Sequence, residues 1–261
     1  MITHNSKKLP IQLLIAVACT SAAQADSMSF LSSDTLPLNL TQVVALPANT
    51  QATTPSGAGR TSISHDLYLM GDVGVALTQD VNIKDNNLLG LSGIQFGLDT
   101  GMRFDLGVGY DVTSWFSVEA TAGLIWNSFS SLSGTDTTSN TNFNFNVDGN
   151  LYNIPIMLNG KFRIPIMEEA NSPEIVLGGG IGALWSQYDV NSIEGVAVND
   201  SESASAFAYQ ATAGVEWELG NNLHLGIAYV FLGTTQLNYN EETIADALYT
   251  NSILATLRYE F

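Results

Sequence analysis

The feature that most limits this chain is a strict alternation over residues 206–234, AFAYQATAGVEWELGNNLHLGIAYVFLGT. Phe207, Tyr209, Ala211, Ala213, Val215, Trp217 and Leu219 hold odd positions, and Gln210, Thr212, Glu216 and Glu218 hold even ones. A helix would scatter those polar residues around its circumference, whereas a strand sends successive side chains to opposite faces. The segment therefore reads as two strands joined at Gly220-Asn221-Asn222, with one apolar face and one polar, charged face. The apolar face must meet either a protein core or lipid.

The same period recurs along the chain from Asp66. Strands are predicted at about 66–78, 101–111, 115–126, 151–164, 174–187 and 251–261, in addition to the two within 206–234. In 101–111, Met102, Phe104, Leu106, Val108 and Tyr110 alternate with Arg103, Asp105, Gly107 and Gly109. In 151–164, Tyr152, Ile154, Ile156, Leu158, Phe162 and Ile164 oppose Asn153, Asn159, Lys161 and Arg163. The connections alternate as well. Those at 79–100, 127–150, 188–204 and 239–250 are long and read as loops, while 111–114, 165–174 and 220–222 are short turns.

Composition decides between core and lipid. The chain is 45% hydrophobic and 13% charged, about half the roughly 25% charged content usual in soluble proteins. A soluble lipocalin-like barrel or sandwich would turn the apolar face inward and guard its outer face and edges with lysine. Beyond residue 25 only Lys84 and Lys161 are available. Lipid outside and polar residues inside is the favoured arrangement, and no run of 18 or more apolar residues offers a transmembrane helix instead. Aromatics near strand ends, among them Tyr110, Trp115, Trp126, Phe162, Trp185 and Trp217, suit interfacial girdles.

The start of the chain has the layout of an export signal: Lys7 and Lys8, the apolar run IQLLIAVA, and a small-x-small cleavage site at Ala23-Gln24-Ala25. Cleavage there removes two lysines and no acid, taking the charge from −17 to −19. Such an acidic balance argues against nucleic acid as a partner. Cys19, the one cysteine, lies inside this segment, where Val17-Ala18-Cys19 also has some likeness to a lipidation site. Residues 26–60 are rich in Ser, Thr, Pro and Gly without a sustained period, and read as a flexible periplasmic segment preceding a barrel at 61–261.

The inward charges form the predicted site: Asp72, Arg103, Asp105, Glu119, Lys161, Arg163, Glu216, Arg258 and Glu260. Eight strands enclose a lumen just wide enough for side chains to fill it. Buried charges there must pair, so these residues read as a salt-bridged plug. A narrow path past them would lean toward cations, because acids outnumber bases.

The stretches 101–127, 151–165 and 206–234, with the terminal aromatic Phe261, resemble the opacity/OmpA-like family of small outer-membrane barrels. The resemblance covers about 66–261. It implies an all-β, eight-stranded, antiparallel up-and-down transmembrane barrel in the bacterial outer membrane. It also implies function in surface loops, and a terminal assembly signal in Leu257, Tyr259 and Phe261. Thr256 stands where that signal usually has Gly.

Other motifs carry less. GGGIG (178–182) precedes no helix, so it is no nucleotide loop, and its glycines at 178, 180 and 182 make room in the lumen. DVNIKDNN (80–87) lacks the Gly and terminal Glu of an EF-hand. His65, in Ser64-His65-Asp66, reads as a solvated strand-start residue, and His224 lies at the start of the next-to-last strand.

The chain is therefore expected to be a non-enzymatic monomer without cofactor or metal. Its expected contacts are outer-membrane lipid and lipopolysaccharide, the barrel-insertion machinery, and a surface ligand reached through acidic loops carrying Asp80, Asp136, Asp148, Glu194 and Asp200. A small cation-leaning channel is the alternative, and a lipid-modifying enzyme comes third.

Overall fold

The computed structural model describes residues 67–83, 91–167, 172–220, 222–239 and 242–261. The predicted export signal with Cys19, Ala23 and Ala25, the 26–60 segment, His65, Lys84, Asp85 and Glu241 lie outside them.

Ten strands follow in chain order: β1 (Leu67–Thr78), β2 (Val81–Asn82), β3 (Leu91–Leu98), β4 (Gly101–Thr113) and β5 (Phe116–Asp136). The rest are β6 (Thr141–Pro165), β7 (Glu174–Ile193), β8 (Val196–Gly220), β9 (Leu223–Tyr239) and β10 (Glu242–Glu260). Eight of them close a ring in the order β1-β4-β5-β6-β7-β8-β9-β10, every neighbouring pair antiparallel. The seam joins the first and last strands, with Leu69 opposite Tyr259 and Leu77 opposite Asn251. Closure leaves the ring no edge, which is what a strand assembly in lipid requires.

The alternation in the sequence becomes an inside and an outside. Leu106, Ile156, Leu158, Ile181, Ile227 and Ile253 stand on the outer face at 56–73% exposure, while Arg103, Glu119, Asn153, Lys161 and Arg163 point inward and are buried. Aromatics gather at the outer rims. Trp115 stacks on Phe162 at 5.8 Å and Tyr259 meets Phe261 edge-on at 5.5 Å near the terminal end, where β1 starts and β10 finishes, while Trp126 stacks on Tyr152 at 6.2 Å toward the other end.

Two expectations need correction. First, the four long connections are not loops over most of their described length. β5 and β6 run on to a turn at residues 137–140, and β7 and β8 run on to a turn at residues 194–195. Asn142, Asn144 and Asn146 alternate with Phe143, Phe145 and Val147 there, so asparagines that resemble loop residues occupy one face of a strand. The short β2 and β3 add to the ring's eight: β3 pairs with the far part of β5, and Ile83 bridges to Ala245 of β10. Second, the inside is not polar throughout. Toward the hairpin end it holds an apolar core that includes Ile125, Phe129, Leu132, Leu151, Leu184, Val190, Leu232, Leu237 and Leu248.

Candidate functional site

The inner faces near the terminal end bring the predicted charges together with three residues that the sequence reading had not placed among them. Tyr68 of β1 is fully buried, and its hydroxyl donates to Glu119 Oε1 at 2.7 Å. Arg163 Nη2 donates to the same hydroxyl at 3.1 Å. The guanidinium carbons of Arg163 and Arg258 lie 5.1 and 5.2 Å from the Tyr68 ring centre, so one aromatic ring receives two cations. Gly109 makes this possible, since a Cβ on it would overlap the Tyr68 ring.

Each buried cation meets carboxylates. Lys161 Nζ lies 2.8 Å from Glu119 Oε2, and Arg163 Nη1 lies 2.8 Å from Asp111 Oδ1. Glu216 Oε2 is shared by Arg258 Nε at 3.2 Å and Arg163 Nε at 3.6 Å. Arg258 Nη1 also contacts Glu260 Oε1, to which His224 Nε2 approaches at 3.2 Å. Asp111 and His224 are the second and third residues missed. Asp111 looked like part of a turn, and His224 is buried in the lumen mouth against Glu260.

Deeper in, Arg103 Nε pairs with Asp105 Oδ2 at 2.8 Å and Arg103 Nη2 donates to Gln210 Oε1 at 3.2 Å. Gln210 Nε2 then donates to Asn159 Oδ1 at 2.6 Å, and Asn159 Nδ2 donates to Thr121 Oγ1 at 3.1 Å. The chain of amides crosses β7 between β6 and β8, where Gly180 has no side chain to block it. Asp72 lies directly opposite Asp105 across the β1–β4 pair. These residues leave a cavity of about 20 Å³, room for roughly one water.

The remaining predicted residues are elsewhere. Leu257, Tyr259 and Phe261 lie on the outer face at 46–63% exposure, apart from the charges. Among the acids assigned to loops, Asp200 is buried at 9% exposure and accepts from the Tyr188 hydroxyl at 3.2 Å, so it belongs to the inside. Asp136 caps the β5–β6 turn, accepting from the Thr138 N–H at 2.8 Å and the Ser139 hydroxyl at 2.9 Å. Among the described residues no group of three or more His, Cys, Asp or Glu side chains is placed to hold a metal ion.

The architecture recurs in known proteins. The Neisserial surface protein A matches at a TM-score of 0.50 with 13% identity, over 75% of this chain and 97% of its own. Looser likenesses include Ail, the attachment invasion locus protein of Yersinia pestis, solved with the heparin analogue sucrose octasulfate. It has 16% identity and a TM-score of 0.42, over 76% of this chain and 99% of its own. Another is the outer membrane protease OmpT from Escherichia coli, with 10% identity and a TM-score of 0.48, over 78% of this chain and 99% of its own. No curated protein matches the sequence. The outer membrane protein beta-barrel domain matches residues 40–261, the whole ring and part of the stretch before it. With a closed ring of eight strands, an apolar outer face and a charged interior, this chain belongs to that family and is a β-barrel of the bacterial outer membrane.

Proposed function

We propose that the protein is a non-enzymatic, non-conducting barrel that acts at the cell surface, through its long hairpins, in envelope structure or ligand binding. The observation that carries this reading is the filled lumen: ion pairs at 2.8–3.6 Å across five strands leave only a 20 Å³ gap. Such a network blocks ions because opening it would strand buried charges without partners, each at a cost of several kcal/mol.

On this reading residues 1–25 are the export signal, 26–60 a periplasmic segment and 61–261 the barrel. Leu257, Tyr259 and Phe261 would present the insertion machinery with an outward apolar stripe. The hairpin end carries Asp80, Asp136, Asp148 and Glu194, a surface fitted to partners with basic patches or to lipopolysaccharide bridged by divalent cations. Single-channel recording on the refolded protein in a planar bilayer tests the plug. The native protein should be silent and the Arg103→Ala/Lys161→Ala variant should leak. Steady cation-selective openings of the native protein would instead make it a channel.

A further inference from the structure

The apolar core at the hairpin end encloses a second cavity, of about 50 Å³, separate from the charged one. Its walls come from β2, β3, β5, β6, β7, β9 and β10, with Ile83, Phe129, Leu237 and Leu248 among them. One wall residue differs in kind. Ser186 of β7 is fully buried, lines the cavity, and its Oγ has no hydrogen-bond partner. Asn153, its direct neighbour on β6, is also fully buried, and neither its amide oxygen nor its nitrogen is partnered. Leaving such groups unsatisfied costs stability, a cost that Ala and Leu at these places would avoid.

The chemistry of the walls selects the ligand. Among the described residues neither Lys nor Arg lines this cavity, so a carboxylate or phosphate entering it would find no counter-ion among those walls. A hydroxyl both donates and accepts, and so can engage the Ser186 hydroxyl in either direction. The cavity volume of about 50 Å³ is a third of the roughly 150 Å³ that holds benzene, so it suits a molecule of about three heavy atoms rather than a ring or a long chain. We propose that the hairpin-end cavity is a binding site for a small alcohol the size of ethanol, inserted hydroxyl first onto Ser186 with its alkyl end toward the apolar walls that Ile83, Phe129, Leu237 and Leu248 provide.

The site is tested by methyl NMR on the protein in lipid nanodiscs titrated with ethanol or with ethane gas. Leu237 and Leu248 should shift to saturation with ethanol. Lipid-facing Ile227 and Ile253, 58% and 56% exposed, should instead shift linearly as alcohol partitions into the bilayer. Ser186→Ala, too small a change to threaten folding, should weaken ethanol binding by roughly 2- to 12-fold and leave the response to ethane unchanged. Linear shifts at Leu237 and Leu248 would overturn the site. Saturation that Ser186→Ala does not weaken would overturn the assignment of an alcohol.

Discussion

Tyr68 and Arg163 join strands three places apart around the ring: the Arg163 guanidinium lies over the Tyr68 ring at 5.1 Å while its Nη2 donates to the hydroxyl at 3.1 Å. The contact crosses the lumen, so it ties together parts of the wall that no backbone hydrogen bond connects. Tyr68→Phe keeps the ring beneath both arginines and removes only the hydroxyl that serves Glu119 and Arg163. It should cost about 1.5–3 kcal/mol, the usual range for a hydrogen bond to a charged group, read as a lower urea midpoint for unfolding from lipid vesicles.

Glu119 is the partner whose loss should hurt most. It holds Lys161 at 2.8 Å and is 1% exposed. Glu119→Ala should destabilise by roughly 3–5 kcal/mol, because Lys161 is left charged and buried. Glu119→Leu combined with Lys161→Met should recover much of that loss, since neither charge then remains. A double-mutant cycle whose effects simply add would show that the pair does not interact.

Gly180 should tolerate no side chain. A Cβ there would overlap Asn159 Oδ1, the atom that accepts from Gln210. Gly180→Ala should cost about 1–3 kcal/mol through overpacking and free Arg103 from its tie to Gln210. The same substitution at the neighbouring Gly179, where a Cβ would make only an ordinary contact at 3.6 Å, serves as the control for general glycine effects.

The tip of the β5–β6 hairpin should respond to acid. The Thr138 N–H, followed by the Ser139 hydroxyl, holds the exposed Asp136 carboxyl below its ordinary value of 3.8. A depressed carboxyl contributes its stabilisation above that ordinary value and loses it as the pH falls through the lowered one. The Thr138 and Ser139 amide resonances should therefore hold steady through neutral and mildly acidic pH and move only below about pH 4. Asp136→Ala should abolish that transition.

How much of this was legible in the sequence depended on the contrast between the two faces of each strand. Where Met102, Phe104 and Leu106 alternate with Arg103 and Asp105, side chains alone reveal strand, register and direction. Where both faces are apolar the signal fails: Ile125 between Leu124 and Trp126 reads as continuous apolar chain, so the inner core at the hairpin end went unseen. Tyr68 was hidden in the same way between Leu67 and Leu69. The 141–147 stretch failed for the opposite reason, because asparagine prefers turns locally and only pairing with β5 and β7 holds it extended. The ring partners of Asp111 and His224 lie more than 30 residues away in the chain, so no local pattern could have announced them.

The β1–β10 seam has a consequence for how the chain must assemble. Residues at its two sides, such as Leu69 and Tyr259, are separated by almost the whole barrel. Each intermediate made of fewer hairpins therefore carries two raw strand margins whose N–H and C=O groups have no partner in hydrocarbon. Contacts this distant in sequence also form slowly. The last stitch is then the one that makes all the others tolerable in lipid, so a chain lacking β10 should not persist as a smaller barrel but fail to enter the membrane at all.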